Sequence, residues 1–314
     1  GLELKVENWY KMNFFKAQQH KYRALKSVFD QLGAGDELLI QFPIIHHTFF
    51  ISQLIKQAQN RGVKFYLVIH DIETLRHVGN SAVKLRHKVR NYFQEKAALT
   101  SVDGIIVHND IMKNALTIQG IPSDKMVSLE IFDYLIPNFE EKSVPQKEEA
   151  IIIAGNLIPT KSGYLYNLPE QPAYNLYGMG YDESRALKNT TYFGSFMPDD
   201  LPNALQGSFG LVWDGDSSET CQGSFGNYLR INNSHKASLY LASGFPLVVW
   251  KESALAHFVL DKQCGIAIDS LHDLQKALDD LTDQDYMELS ANARQVGAAI
   301  RSGEYLKSAI SKLK

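Results

Sequence analysis

Residues 210–250 read GLVWDGDSSETCQGSFGNYLRINNSHKASLYLASGFPLVVW, and this stretch decides the fold. The apolar run 209–213 breaks into an acidic turn, Asp214-Gly215-Asp216. A polar, glycine-bearing loop follows. Asn232-Asn233-Ser234-His235-Lys236 then leads into an apolar helix over 237–242, which Gly244 stops, and 246–250 is the next strand. Strand, long polar loop, helix start and strand, in that order, is the layout by which the carboxyl edge of a parallel sheet binds anions. The stretch reads as a holder for a nucleotide diphosphate.

Outward from it the pattern is βα repetition. Apolar positions at helical spacing mark a helix over 15–32, ended by Gly33 and Gly35. Residues 37–42 and 63–69 are short continuous apolar strands of the kind buried on both faces of a parallel sheet. A helix over 49–60 lies between them, and a basic amphipathic helix over 81–98 follows. The strand 104–107, the helix 111–119 and the strand 126–129 complete a first domain, 1–140. Its strand ends carry His70, Asp71, His108 and Asn109, where residues face a ligand crevice. Residues 137–150 are charged and proline-bearing, a linker by composition. The pattern restarts with strands over 151–154, 175–177, 191–193, 209–213, 246–250 and 265–268, then helices over 271–281 and 285–300, in a second domain, 141–296. A terminal helical piece, 297–314, is expected to pack back on the first domain. The expected class is α/β: two Rossmann-like units facing across a cleft. The chain opens Gly-Leu-Glu-Leu-Lys-Val, with Leu2, Leu4 and Val6 alternating and no glycine-rich turn before them. A first strand and its loop are therefore expected to be missing from the numbered chain.

Composition sets limits. With 314 residues, 45% hydrophobic and 21% charged, the chain has room for two ordinary globular domains. A net charge of −3 argues against a large nucleic-acid footprint. Two cysteines, Cys221 and Cys264, give neither zinc spacing nor a disulfide framework, which suits a cytoplasmic setting. No run approaches the ~18 apolar residues of a membrane span, so membrane contact is expected to be peripheral at most.

Candidate site residues fall into four groups. Gly155, Asn156 and Lys161 form a basic, glycine-bearing turn after a strand, suited to phosphate or simply to solvent. Asn232, Asn233, Ser234, His235, Lys236 and Ser238 surround a helix start; a lysine in a first turn opposes the helix dipole unless an anion binds there, the alternative being an exposed lysine beside a capping serine. Asp214, Asp216 and Glu219 suit sugar hydroxyls, a divalent cation or solvent. His70, Asp71 and His108 are candidate general bases, or strand-end caps.

The runs IFDYL (131–135), AGNL (154–157), HDIETLR (70–76) and 210–241 resemble those of bacterial β-1,6-galactofuranosyltransferases, with streptococcal adhesin-glycan glucosyltransferases as more distant cousins. The resemblance spans nearly all of the chain from about Asp36 onward. It implies a GT-B fold, the donor nucleotide sugar held mainly by the second domain and the acceptor mainly by the first. It further implies metal-independent transfer with no cofactor beyond the UDP-sugar. By position, Lys161 and Lys236 would face the diphosphate. Many such enzymes carry a ribose-binding glutamate three residues after that lysine. Here Leu239 stands in its place, so ribose would fall to Asn232, Asn233 or Ser238. The expectation is an inverting transfer of galactofuranose to a surface-polysaccharide glycan, with Asp71 as base and the acceptor lipid-linked in one version. That places the enzyme in the cytoplasm, at the inner face of the membrane. UDP-glucose as donor, a non-catalytic nucleotide-sugar-binding subunit and self-association stay open.

Overall fold

A computed structural model describes residues 12–43, 50–76 and 85–313, with the side chains of 85, 87 and 88 outside the description. The alternating opening residues, the start of the helix expected from 49 and the first residues of the basic helix fall outside this range.

The chain divides into two compact units, one running to Ser128 and joined by the chain from Ile310, the other Leu129–Ala309. In the first unit, β1 (Glu37–Phe42), β2 (Lys64–Ile69), β3 (Gly104–Val107) and β4 (Met126–Ser128) form a parallel sheet in the order β1-β2-β3-β4. β3 is buried throughout and β2 nearly so, as continuous Val, Ile and Leu runs demand. The flanking helices start where side chains can accept orphan amides: Asn13 Oδ1 takes the Lys16 N–H at 2.9 Å and Asn109 Oδ1 the Met112 N–H at 2.9 Å. Leu25 and Phe29 of helix Phe14–Phe29 supply its buried face.

The second unit holds β5 (Ile151–Asn156), β6 (Tyr174–Met179), β7 (Thr190–Tyr192), β8 (Gly210–Val212), β9 (Leu247–Trp250) and β10 (Gly265–Ile268). All are parallel, in the order β10-β9-β8-β5-β6-β7. The order runs one way from β5 to β7 and the other way from β8 to β10. The reversal lies between β5 and β8, the place where doubly wound sheets bind ligands.

These two strands share a single register pair, Ile152↔Gly210. Beyond it the Ala154 N–H donates to the Tyr240 hydroxyl at 2.6 Å, not to β8. Tyr240, on helix His235–Ala242, is fully buried. A Cβ at Gly210 would stand 2.2 Å from Tyr240 Cγ, so only glycine admits this ring beside β8. The core around it holds Trp213, Trp250, Phe209, Tyr164 and Tyr174.

Residues 137–150 belong to the second unit and are stitched onto it by polar contacts. Lys142 Nζ donates to the carbonyls of Pro202, Asn203 and Leu205 at 3.3, 2.7 and 3.0 Å, closing the end of helix Leu201–Ala204. Arg294 Nη1 pairs with Glu141 at 3.1 Å, and Lys147 Nζ reaches Leu281 O at 2.7 Å. Helix Asp283–Ser302, opened by a Thr282/Asp285 capping box, runs unbroken through 297. Gly303 (φ 74°) ends it, and helix Glu304–Leu313 follows. Asp133 accepts the Tyr305 and Leu306 N–H groups there, at 3.3 and 2.8 Å.

Candidate functional site

The turns that follow β5 and β8 are laced together at the strand-order reversal. Asn156 Oδ1 accepts the Ile158 N–H at 3.1 Å and turns the chain into helix Pro159–Ser162. The Gly215 N–H then donates to Lys161 O at 2.8 Å, and the Tyr164 N–H to Gly215 O at 3.1 Å. Gly215 has φ 115°, and a Cβ there would stand 2.7 Å from Gln222 O. Gly226 is needed for a similar reason: its Cβ would meet the Cys221 carbonyl carbon at 2.6 Å and Asp214 O at 2.9 Å.

Lys236 enters this corner from the helix start. Its stem passes Gly155, where a Cβ would be 3.7 Å from Cδ. Its ammonium donates to Trp213 O at 2.7 Å and to Asp214 Oδ1 at 2.9 Å. Asp214 is only 6% exposed, so the pair is largely removed from water. The Asp214 charge reaches the buried Tyr164 hydroxyl. Burial first, then the Asp214 charge, push the Tyr164 pKa well above its ordinary value.

Of the expected site residues, Gly155, Asn156, Lys161, Asp214 and Lys236 gather at this corner. Lys161 Nζ lies 5.6 Å from the Phe225 ring centre. Asp216 is exposed and accepts from Gln222 Nε2 at 3.2 Å. Glu219 is exposed too, 3.2 Å from His272 Nε2, which also meets Ser218 Oγ at 3.1 Å. Ser234 caps the helix by accepting the Lys236 N–H at 3.4 Å. The other residues of the run serve the packing. Asn233, 2% exposed, donates its amide to Glu130 O, and His235 packs on Phe132 with ring centres 4.1 Å apart and the planes tilted by 31°. Asn232 Oδ1 is buried and has no partner among the described residues. Ser238 is fully buried inside the helix packing, so a ribose contact from it requires rearrangement. Asp214 likewise turns inward to a lysine, away from solvent. Sequence reasoning passed over the Trp213 carbonyl, Gly226, Phe225 and His272. The Gly-Ser-Phe-Gly run at 223–226 was a signal for Gly226; a carbonyl acceptor leaves none. Among the described residues no group of three or more His, Cys, Asp or Glu is arranged to hold a metal ion.

The first unit gathers its candidates at its own sheet edge. Val68 pairs with Ile106, and two residues beyond each lie His70 and His108. His108 is buried. Burial lowers the His70 pKa, partly offset by the Asp71 charge. Asp71, with 36% of its side chain exposed, is paired with Arg76, which also holds Glu73 at 3.1 Å. Glu95 accepts the Glu73 and Thr74 N–H groups at 2.7 and 3.1 Å, anchoring this turn. No helix among the described residues is long and apolar enough to cross a membrane.

Known proteins share this chain's pattern. Residues 2–131 match the family described as glucosyltransferase 3-like, N-terminal domain, and 151–313 its C-terminal domain. The chain is 34% identical to the beta-1,6-galactofuranosyltransferase WbbI of Escherichia coli K12, over 88% of this chain and 79% of that one. It is 23% identical to glucosyltransferase 3 of Streptococcus gordonii, over 93% and 83%. Among solved structures it resembles a sucrose-phosphate synthase from Thermosynechococcus elongatus, with TM-score 0.64, 14% identity and coverage of 95% and 78%. It also resembles Anabaena HepE in complex with UDP and glucose, with TM-score 0.57, 14% identity and coverage of 95% and 83%. At such identities the structures speak for the fold, which is GT-B, built on the two parallel sheets.

Proposed function

The chain belongs to the glucosyltransferase 3-like family of glycosyltransferases, and we propose that it moves galactofuranose from UDP-galactofuranose to a sugar hydroxyl of a surface or exopolysaccharide glycan. The observation that supports the donor site is the corner at the β5/β8 reversal, where the Lys236 ammonium and a capped helix start meet the turn that carries Lys161. The choice of sugar rests on the likeness to the galactofuranosyltransferase.

The transfer inverts the anomeric carbon and uses no metal. The acceptor oxygen forms a bond to that carbon as the bond to the β-phosphate oxygen breaks, and the acceptor proton passes to Asp71. The charge that develops on departing UDP is met by Lys236, Lys161 and the helix amides, donors worth about 3 kcal/mol each in such sites. The acceptor is lipid-linked and met at the cytoplasmic face of the membrane. Helix Leu85–Ser101 suits that setting: Arg86 and Phe93 are exposed, while Glu95 is bound to the Glu73 turn.

UDP-glucose is the second reading, favoured by the streptococcal glucosyltransferase likeness. Thermal-shift titration with UDP, UDP-glucose and UDP-galactofuranose ranks the donors through ligand linkage. Stabilisation by UDP-galactofuranose beyond that by UDP, with transfer to a hexoside, is the expected result. Stabilisation by UDP-glucose alone replaces the sugar, and no response to any of the three overturns the donor site.

A further inference from the structure

Asp214 stands inside the donor site, yet its geometry is not that of a residue that reads a sugar. Its Oδ1 is taken by the Lys236 ammonium at 2.9 Å, and the residue is almost wholly enclosed. The neighbouring carboxylates Asp216 and Glu219 are the exposed ones on this turn. The backbone around Asp214 is built to hold it in place. Gly226 admits the Asp214 carbonyl at a distance no Cβ tolerates, and the N–H of Gly215, the next residue, donates to Lys161 O.

Lys236 is held from three sides: Asp214, the Trp213 carbonyl and the open face of Gly155. A lysine stem free in water gives up its rotamer freedom when a ligand fixes it. Here that freedom is lost on folding. An enclosed ammonium also carries a heavy desolvation cost unless a counter-charge sits beside it, and Asp214 is that counter-charge. An ammonium bears three protons, and these contacts take two. Among the described residues nothing else takes the third.

We propose that Asp214 is a positioning residue: it fixes Lys236 at the β5/β8 reversal before the nucleotide arrives, leaving one N–H for a diphosphate oxygen. The proposal rests on the donor-site reading above. It separates two effects that a phosphate-gripping lysine alone would join. Removing the Asp214 charge leaves the corner more positive, so nucleotide affinity is maintained. Alignment of the ammonium with the departing oxygen suffers, so turnover falls.

The test is a double-mutant cycle with Asp214→Asn, Asp214→Glu and Lys236→Met, reading UDP affinity by calorimetry and turnover as UDP released from UDP-galactofuranose with a hexoside acceptor. Asp214→Asn is expected to keep the UDP Kd within about threefold while kcat falls at least about tenfold. Asp214→Glu is expected to recover part of kcat, because a carboxylate again meets the ammonium. In the Lys236→Met background Asp214→Asn should add less than about twofold, since residues acting through one another are not additive. Wild-type kcat in Asp214→Asn, or losses that multiply with those of Lys236→Met, overturns the proposal. If Asp214→Asn does not fold, the same cycle run with Asp214→Glu decides, by whether its loss persists without Lys236. A wild-type protein that binds no UDP overturns the donor reading as well; UDP binding with multiplying losses overturns this assignment alone.

Discussion

Lys236 is where charge, packing and chemistry meet, so Lys236→Ala is the most direct substitution. Loss of one preorganised donor to a departing oxyanion lowers turnover by roughly 10²-fold. Near-normal turnover of UDP-galactofuranose with a suitable acceptor sinks the assignment. His70 makes a second residue-scale prediction, about stability. Burial holds its folded pKa below the ordinary 6.5. The unfolded chain therefore binds the proton first as pH falls, and stability present above pH 6.5 is lost through the lowered value. Urea midpoints of the wild type should drop between pH 7 and 5 by more than those of His70→Gln. Parallel curves would show that His70 contributes nothing. Both residues stood out in the sequence as polar groups at element ends. What Lys236 is bonded to did not, because Asp214 and Lys236 lie 22 positions apart and meet only when β8 and helix His235–Ala242 pack.

At the scale of elements, the helix His235–Ala242 against β8 is the decisive contact. Gly210→Ala would put a methyl group into the Tyr240 ring and should destabilise by about 1–3 kcal/mol. Tyr240→Phe leaves the buried Ala154 N–H without its acceptor, at about 1–3 kcal/mol. Denaturant titration checks both, and a neutral Gly210→Ala would mean that β8 tolerates a side chain there. β1, β3 and β10 lie at the residues read from apolar runs. β3 is buried on both faces as its continuous run implies, whereas β1, at the sheet edge, leaves Leu39 and Gln41 exposed, contrary to that reading. The short helix Gly223–Tyr228 was not legible. Its Gly, Ser and Asn are poor helix formers, and tertiary contacts beneath Asp214 and Cys221 override propensity. Residues 137–150 read as a linker because they are charged, proline-bearing and poor in apolar side chains; the few they have, Phe139 and Val144, pack on the core. Their lysines also bind carbonyls on the second unit, and Lys142→Met should cost about 1–2 kcal/mol in the same titration.

For the molecule as a whole, the donor reading predicts where UDP is felt. At 100-fold excess over Kd, linkage adds about 2.7 kcal/mol to the stability of the unit that binds it. Hydrogen exchange with UDP should slow in residues 154–164, 210–228 and 232–240, all within Leu129–Ala309. Protection confined to the strand ends at 69–71 and 107–109 would move the nucleotide to the other unit.

Local chemistry alone determined the parallel α/β class, most of its strands and the capped helix start at Ser234. Periodicity, glycine stops and caps act within a few residues, and composition carries them directly. Only the tertiary structure decided the strand order, the single β5–β8 register pair and the enclosure of Asp214 with Lys236. Each is a long-range pairing, set by which side chains fit beside one another once the sheet has closed around Tyr240. The opening stretch thus carried by itself the reading of an anion site, while packing decided that Asp214 and Lys236 are bonded to one another.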